Sequence, residues 1–200
     1  MLFEYAPYYD FAEPWMMEQW SSFIWPMIAN LDFSCVLDLA AGHVRNSVKL
    51  IEFAGRIVLV DINQENIDYC RERFRGDPRF TFIKNDGVSL TGVADESVSL
   101  VYSFDSMVHF DSDVVREYLK ESHRVLKPGG SGFIHHSNYT GDPAGEFMKA
   151  PGWRNFMSKE LFAHYCLKCE LEVVEQKVID WGDPRLDCLS VFCKPIGSAA

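Results

Sequence analysis

The chain has 200 residues, of which 48% are apolar and 24% are charged, and its formal net charge is −10. A chain of this size and composition can bury one core, so we expect a single domain over residues 1–200. The acidic balance argues against nucleic acid as a routine partner, because phosphate binding requires a basic surface. No apolar run reaches the roughly 18 residues of a membrane span, and the first residues lack the layout of a signal peptide. We therefore expect a cytoplasmic protein.

The first predicted element is an amphipathic helix within residues 1–31, which could act as a lid segment. Apolar residues recur after Pro14 at three- and four-residue spacing. Pro26 is expected to kink this helix near Phe23–Trp25, because proline has no N–H group to donate. Such a stripe is typical of a helix packed on a sheet. In the alternative interpretation, part of a lid over a ligand is formed by Tyr8, Tyr9 and Trp15.

Apolar runs then alternate with helical patterns along the chain. The runs suited to buried strands are Val36–Leu39, Arg56–Val60, Arg79–Lys84, Val98–Ser103 and Ser131–His136. The helical patterns between them are His43–Phe53, Asn63–Phe74 and Asp111–Leu126. This alternation predicts an α/β protein with a doubly wound, mostly parallel sheet and helices on both faces.

The last part of the chain breaks the alternation. Residues 138–157 are rich in Gly, Pro and Asn and form a long connection, which we expect to be a substrate loop. A helix is predicted from Ser158 to Lys168. Two further strands, Leu171–Trp181 and Leu186–Lys194, are joined by a hairpin turn. They would complete a seven-stranded sheet whose C-terminal strand is antiparallel to its neighbour.

Small or acidic residues follow successive strands, where ligands of a doubly wound sheet bind. After the first strand, Asp38, Ala40 and Gly42 form a turn in which backbone N–H groups can approach a ligand. Asp61 follows the second strand and can accept hydrogen bonds from the two hydroxyls of a ribose. Asp86 follows the third and can accept one from the exocyclic amine of adenine. A single such aspartate is more often a turn residue, but three at successive strand ends favour a nucleoside site.

The first turn resembles the opening motif of class I S-adenosylmethionine-dependent methyltransferases, D/E-x-G-x-G-x-G. Asp38, Ala40, Gly42 and Val44 stand on its positions, so two of the three glycines are replaced. Val44 is the larger departure, because a β-branched residue does not readily adopt positive φ. It is expected either to crowd the cofactor or to point away from it.

Later segments resemble the successive motifs of the same family, in the family's order, over about residues 33–137. They are I-V-L-V-D-I-N, N-D-G, S-V-S-L-V-Y-S-F-D-S-M-V-H-F and H-R-V-L-K-P-G-G-S-G-F-I-H-H. The resemblance implies a Rossmann-like methyltransferase fold, with S-adenosylmethionine as methyl donor and S-adenosylhomocysteine as product. By position, it implies that the cofactor is bound by Asp38, Ala40, Gly42, Asp61, Ile62, Asp86, Gly87, Ser103 and Phe104.

Histidines near two strand ends are candidates for removing a proton from an acceptor. His109 lies six residues after the fourth strand, close to Asp105. Side chains alternate along the fifth strand, so only one of His135 and His136 should face the site, and we favour His136. A structural role is the alternative for each histidine, and no metal is expected although the ligand types would suit one. Residues that could roof the acceptor, or simply pack, are Tyr139, Trp153, Arg154, Trp181 and Asp183.

The residues thus favour a methyltransferase acting on a small organic acceptor, most readily at oxygen. A nicotinamide-dependent oxidoreductase would share the strand–turn–helix unit and the ribose carboxylate. It would require glycines that this turn lacks, and it would not explain Asp86 or the final hairpin. A non-catalytic S-adenosylmethionine-binding protein would share every cofactor residue. Turnover separates this last alternative from the enzyme.

Overall fold

The computed structural model describes residues 13–45 and 47–197. In this part of the chain, seven strands form one sheet in the order β3-β2-β1-β4-β5-β7-β6. Their bounds are β1 Val36–Leu39, β2 Ile57–Asp61, β3 Phe80–Lys84, β4 Val98–Ser103, β5 Leu126–Ser137, β6 Glu172–Trp181 and β7 Asp183–Cys193. The sheet order reverses between β1 and β4, so the carboxyl ends of these two strands border a crevice.

The strand directions confirm the predicted topology. Strands β1 to β5 run parallel to one another, whereas β7 is antiparallel to both β5 and β6. Two strand boundaries differ most: β7 begins at Asp183 rather than Leu186, and residues 127–130, predicted to close a helix, lie inside β5. The Gly129 N–H donates to the Lys194 carbonyl and the Lys194 N–H to the Gly130 carbonyl, both at 2.9 Å. Pairing with the end of β7 therefore keeps this glycine-rich segment extended.

The helices in the described residues are α1 Met16–Gln19, α2 Trp25–Ile28, α3 Ser47–Leu50, α4 Gln64–Arg73, α5 Ser112–Val125 and α6 Lys159–Lys168. Two of the three longer helices, α5 and α6, have side-chain caps. Asp111 accepts from the Asp113 N–H before α5, and Ser158 accepts from the Leu161 N–H before α6. Neither α1 nor any other of these helices is long and apolar enough to cross a membrane.

The N-terminal helical stretch is interrupted where the proline predicted a kink. A π-helical turn, Trp20–Ile24, separates α1 from α2 and ends two residues before Pro26. Because Pro26 cannot donate to the preceding turn, the backbone widens there. Ile24 and Ile28 are fully buried, so this stretch packs on the sheet as predicted. Tyr8 and Tyr9, the other proposed lid residues, lie outside the described residues, and Trp15 is 53% exposed.

Two hydrophobic clusters cover the two faces of the sheet. One joins Leu37 and Val60 to side chains of α5 and α6. The other joins Leu59 and Tyr102 to α2, α3 and α4. Because neighbouring strand residues point to opposite faces, this arrangement confirms helices on both sides of the sheet.

Candidate functional site

The turn after β1 has three residues in the left-handed region. The φ angles are 58° at Ala40, 53° at Gly42 and 62° at Val44. Because residues with positive φ are not helical, the helix predicted over His43–Phe53 is shorter in the structure and corresponds to α3. The Val44 side chain is fully buried in the cluster beneath the turn. It therefore packs into the core, as the second of the two alternatives for Val44 expects.

Asp61 holds this turn against the end of β2. Its carboxylate accepts hydrogen bonds from the Gly42 N–H at 2.9 Å, the Asn63 N–H at 2.8 Å and the Asn66 side-chain amide at 3.1 Å. The residue is only 5% exposed. A carboxylate has about four acceptor positions, so capacity for one further donor is left. Asp38 is also buried, at 4% exposure, and lies in β1, two residues before Ala40.

Helix α4 supports the same turn with residues that the sequence analysis did not identify. The Cys70 thiol donates to the Gly42 carbonyl at 3.3 Å, and the Arg73 guanidinium donates to the His43 carbonyl at 2.9 Å. Burial raises the pKa of Cys70 to about 12, which keeps the thiol protonated as a donor. The His43 ring stacks on Tyr69 at 3.9 Å between centroids. The sequence signal for this support is the three-residue spacing of Cys70 and Arg73, which places both side chains on one face of α4.

At the end of β3, Asp86 shapes its own loop. It accepts from the Val88 N–H at 3.0 Å and from the Ser89 N–H at 2.7 Å, and these bonds lower its pKa. Gly87 has φ 91°, and a Cβ there would lie 2.8 Å from the Ile62 Cδ1 atom. Ile62 is 53% exposed. The ends of β2 and β3 thus present an apolar surface beside a carboxylate.

At the end of β4, the two predicted cofactor residues form the wall of the crevice. The Ser103 hydroxyl is buried and donates to the Leu39 carbonyl at 2.9 Å. Phe104 packs edge-on against Trp181, with ring centroids 5.8 Å apart. Ser103 therefore helps to fix the end of β1, whereas Phe104 packs against β6.

The next residue, Asp105, joins the β1 turn to β5. It has φ 61° and forms an ion pair with Arg45 at 2.9 Å. Its N–H donates to the His135 Nδ1 atom at 3.2 Å. Because that nitrogen accepts, the proton of the neutral imidazole is on Nε2, which donates to Asp187 at 2.9 Å.

Asp187 in turn holds Arg154 of the loop. The guanidinium Nε and Nη2 atoms donate to the two carboxylate oxygens at 2.9 and 2.5 Å, and Asp187 is fully buried. Burial acts to raise the pKa of Asp187, but hydrogen bonds from Arg154 and His135 hold it below its usual value. A continuous polar chain therefore runs from Arg45 through β5 and β7 to the loop. Arg154 and Asp105 were candidates from the sequence, and His135 was considered but not favoured, whereas Asp187 was missed.

The structure corrects the choice between the two adjacent histidines. His135 lies on the face of the sheet that carries Asp105, whereas His136 lies on the opposite face. His136 is fully buried, stacks on Phe162 at 4.1 Å and contacts the Ser190 hydroxyl at 2.8 Å. Burial lowers the pKa of His136 to about 4. Side chains do alternate along β5 as predicted, but the alternation does not indicate which of the two histidines faces Asp105.

His109 ends a short 3₁₀ turn, Met107–His109, beside the loop. Its Nδ1 atom lies 2.8 Å from the Trp153 carbonyl, which can only accept, so the proton is on Nδ1 and the lone pair on Nε2. The Asn155 side-chain amide donates to the His109 carbonyl at 2.6 Å. Burial lowers the pKa of His109, so the imidazole is neutral near pH 7. These contacts bring the predicted base and the predicted substrate loop together.

A cleft of about 480 Å³ lies between this loop and the start of α5. Polar groups of Asp111, Tyr139, Arg154 and Asn155 line it, together with the Phe147 ring. Arg154 and Asn155 also contact the His135–Asp187 pair and His109, respectively. The cleft is therefore next to the candidate base. The hairpin residue Asp183 is exposed and is not part of this lining.

Comparison with known proteins agrees with this arrangement. The profile of one protein family, described as a methyltransferase domain, matches residues 36–130, which include the turn, Asp61, Asp86 and β4. Residues 36–130 of the chain are therefore similar to a methyltransferase domain. The seven-stranded sheet with its antiparallel β7 is the Rossmann-like methyltransferase fold.

Similar proteins are also methyltransferases by name. The chain is 32% identical over 97 residues to a demethylmenaquinone methyltransferase of Clavibacter sepedonicus, which is 48% of this chain and 38% of that protein. It is 26% identical over 131 residues to YqeM of Bacillus subtilis (strain 168), provisionally named a methyltransferase, covering 64% of this chain and 48% of YqeM. The chain thus spans less than half of either relative. Its fold matches a methyltransferase structure from Clostridium acetobutylicum at a TM-score of 0.70 and 18% identity, over 94% of this chain and 99% of that one.

Proposed function

We propose that this protein transfers a methyl group from S-adenosylmethionine to a small organic acceptor, at an oxygen atom. The observation that carries the proposal is the turn after β1, whose Gly42 N–H is held by Asp61 at 2.9 Å. A ligand held by this turn would lie beside the Asp105–Arg45 pair. The cleft lined by Arg154 and Asn155 is the proposed acceptor site, because Asn155 contacts His109.

The residues at this edge of the sheet fit the cofactor chemically. Asp61 has acceptor capacity for a ribose hydroxyl, and Ile62 with Gly87 offers an apolar surface for adenine. Asp38, Ala40, Gly42 and Ser103 surround or fix the turn that would hold the amino-acid end. When bound, S-adenosylmethionine supplies a methyl group on a sulfonium centre. The protein's task is then to align the acceptor and to exclude water.

His109 is the proposed general base for the acceptor. The lone pair on the His109 Nε2 atom would accept the proton that an acceptor hydroxyl must lose when it is methylated. The lowered pKa keeps this imidazole neutral and able to accept a proton near pH 7. Asp105 lies close enough to influence His109 electrostatically and would stabilise the imidazolium that forms. The surroundings of His136 support its structural role instead.

Binding of S-adenosylhomocysteine tests the cofactor assignment. The ligand should raise the melting temperature of the wild type, because it binds the folded state. Asp61→Ala should weaken its binding in calorimetry by about 1.5–3 kcal/mol, the scale for a hydrogen bond to a charged group. Asp68→Ala is the matched control, because Asp68 lies on α4 and pairs with Arg71 at the surface. Stabilisation by NADH but not by S-adenosylhomocysteine would contradict the proposal and favour the oxidoreductase.

A further inference from the structure

The Tyr102 hydroxyl is a buried polar group that the proposed mechanism does not use. Tyr102 is 0% exposed, and its Oη atom has no hydrogen-bond partner among the described residues. A buried hydroxyl without a partner is unfavourable, so native proteins usually pair it with protein, water or ligand. The position of Tyr102 on β4 therefore indicates where a partner for this hydroxyl has to bind.

The surroundings of Tyr102 are those of the cofactor turn. Tyr102 is the register partner of Asp38 in the β1–β4 pair, and its ring stacks on Phe133 at 5.5 Å. The register places both side chains on one face of the sheet, so the phenol stands beside the carboxylate. Arg45 and Asp105 are also close enough to act on the phenol electrostatically. Burial, reinforced by Asp38, raises the pKa of Tyr102 well above its usual value, so the hydroxyl is a donor at neutral pH.

We propose that the Tyr102 hydroxyl donates a hydrogen bond to the carboxylate at the amino-acid end of the cofactor. This inference rests on the proposed function. An α-amino acid end carries one ammonium and one carboxylate. Asp38 complements the ammonium, whereas Arg45 and the Tyr102 O–H complement the carboxylate. Since the Oη atom is covered, neighbouring side chains must move aside when the ligand enters.

Comparison of a whole and a truncated ligand tests this contact. Calorimetry would measure S-adenosylhomocysteine and adenosine, which lacks the amino-acid end, against the wild type and Tyr102→Phe. The substitution removes one oxygen and leaves the ring packing intact. We expect the Kd for S-adenosylhomocysteine to rise roughly 10-fold or more, the scale for a hydrogen bond to a charged group. The Kd for adenosine should stay unchanged.

Thermal unfolding without ligand supplies the control. Tyr102→Phe removes an unpartnered hydroxyl, so the melting temperature should stay the same or rise. Tyr118→Phe is the matched substitution, because the Tyr118 hydroxyl accepts from the Asn85 amide at 2.8 Å, and its loss should lower the melting temperature.

Two outcomes would overturn the Tyr102 inference alone. One is equal S-adenosylhomocysteine affinity in the wild type and Tyr102→Phe, and the other is equal weakening of both ligands. A wild type that binds neither ligand would overturn the proposed function and this inference with it.

Discussion

At the scale of single residues, the cofactor turn is built on strained backbone. Ala40 and Val44 adopt positive φ where the family motif has glycine. Such a conformation costs about 1–2 kcal/mol for a residue with a Cβ atom. Burial of the Val44 side chain contributes about 1.5–3 kcal/mol and offsets that strain. Core packing therefore allows valine at this position.

Val44→Gly should consequently lower stability only slightly. Strain relief and lost burial nearly cancel, so we expect a fall of about 1 kcal/mol in the free energy of unfolding. Val115→Gly, at a buried helical position without strain, should cost about 3 kcal/mol or more. Urea unfolding measures both. Because Val44 points into the core, affinity for S-adenosylhomocysteine should not change, and tighter binding by Val44→Gly would show that the valine does crowd the site.

The prediction about catalysis concerns a single residue, His109. His109→Ala should slow formation of S-adenosylhomocysteine from an accepted hydroxyl substrate by ~10²–10⁴-fold, with cofactor affinity unchanged. His164→Ala, at an exposed position on α6, should leave the rate unchanged.

The pH profile follows from the same residue. A base must be neutral to accept a proton, so the wild-type rate should fall as pH drops through the pKa of His109. Burial lowers that pKa, so the fall should begin below the usual histidine range. A flat profile with full activity in His109→Ala would assign the histidine a structural role.

At the scale of elements, the chain Arg45–Asp105–His135–Asp187–Arg154 joins parts that are distant in sequence. It connects the β1 turn, the end of β4, two antiparallel strands and the substrate loop. His135 and Asp187 are fully buried, so the charge of Asp187 depends on Arg154 for compensation. The loop is thereby fixed to the sheet beside the cleft.

Arg154→Ala should therefore be strongly destabilising. It leaves the buried Asp187 carboxylate without its cation, which costs about 3–5 kcal/mol in urea unfolding. Arg185→Ala, an exposed arginine on the same strand as Asp187, should change stability by less than about 0.5 kcal/mol. Replacing the pair together, Arg154→Met with Asp187→Leu, should recover part of the loss. No recovery would show that the effect of Arg154 does not arise from the buried charge.

At the scale of the whole molecule, His136 links folding to pH. Its pKa is about 4 in the folded protein, against 6.5 for a histidine in the unfolded chain. Because the unfolded chain binds the proton more tightly, the stabilising contribution is complete above about pH 6.5 and is lost as pH falls toward 4.

The expected loss of stability over this window is about 3 kcal/mol from this group, by 1.36 kcal/mol per pKa unit. The lowered pKa of Asp187 also makes the folded protein less stable as pH falls. The contribution of His136 is therefore measured as the difference between the wild type and a His136 variant. Urea unfolding at pH 7 and pH 4 should show a smaller pH dependence for His136→Gln than for the wild type. Equal pH dependence would mean that His136 is not the titrating group.

The sequence by itself determined the architecture and the order of the cofactor motifs. Buried strands read as apolar runs, and helices as three- and four-residue spacing, because each records which face is buried. The position of Asp61 at a strand end followed from the same local pattern. Pro26 likewise predicted the break in the N-terminal helix, since a missing N–H group is a local property.

Only the tertiary structure decided which side chains meet. Period-two alternation gives two faces but not which one carries the site, so His135 could not be chosen over His136. The burial of Val44 depended on the cluster beneath the turn, which long-range packing creates. The pairing of Asp187 with Arg154 joined residues 33 positions apart, and no local pattern specifies such a contact. Charge compensation in a buried site is a property of the assembled fold.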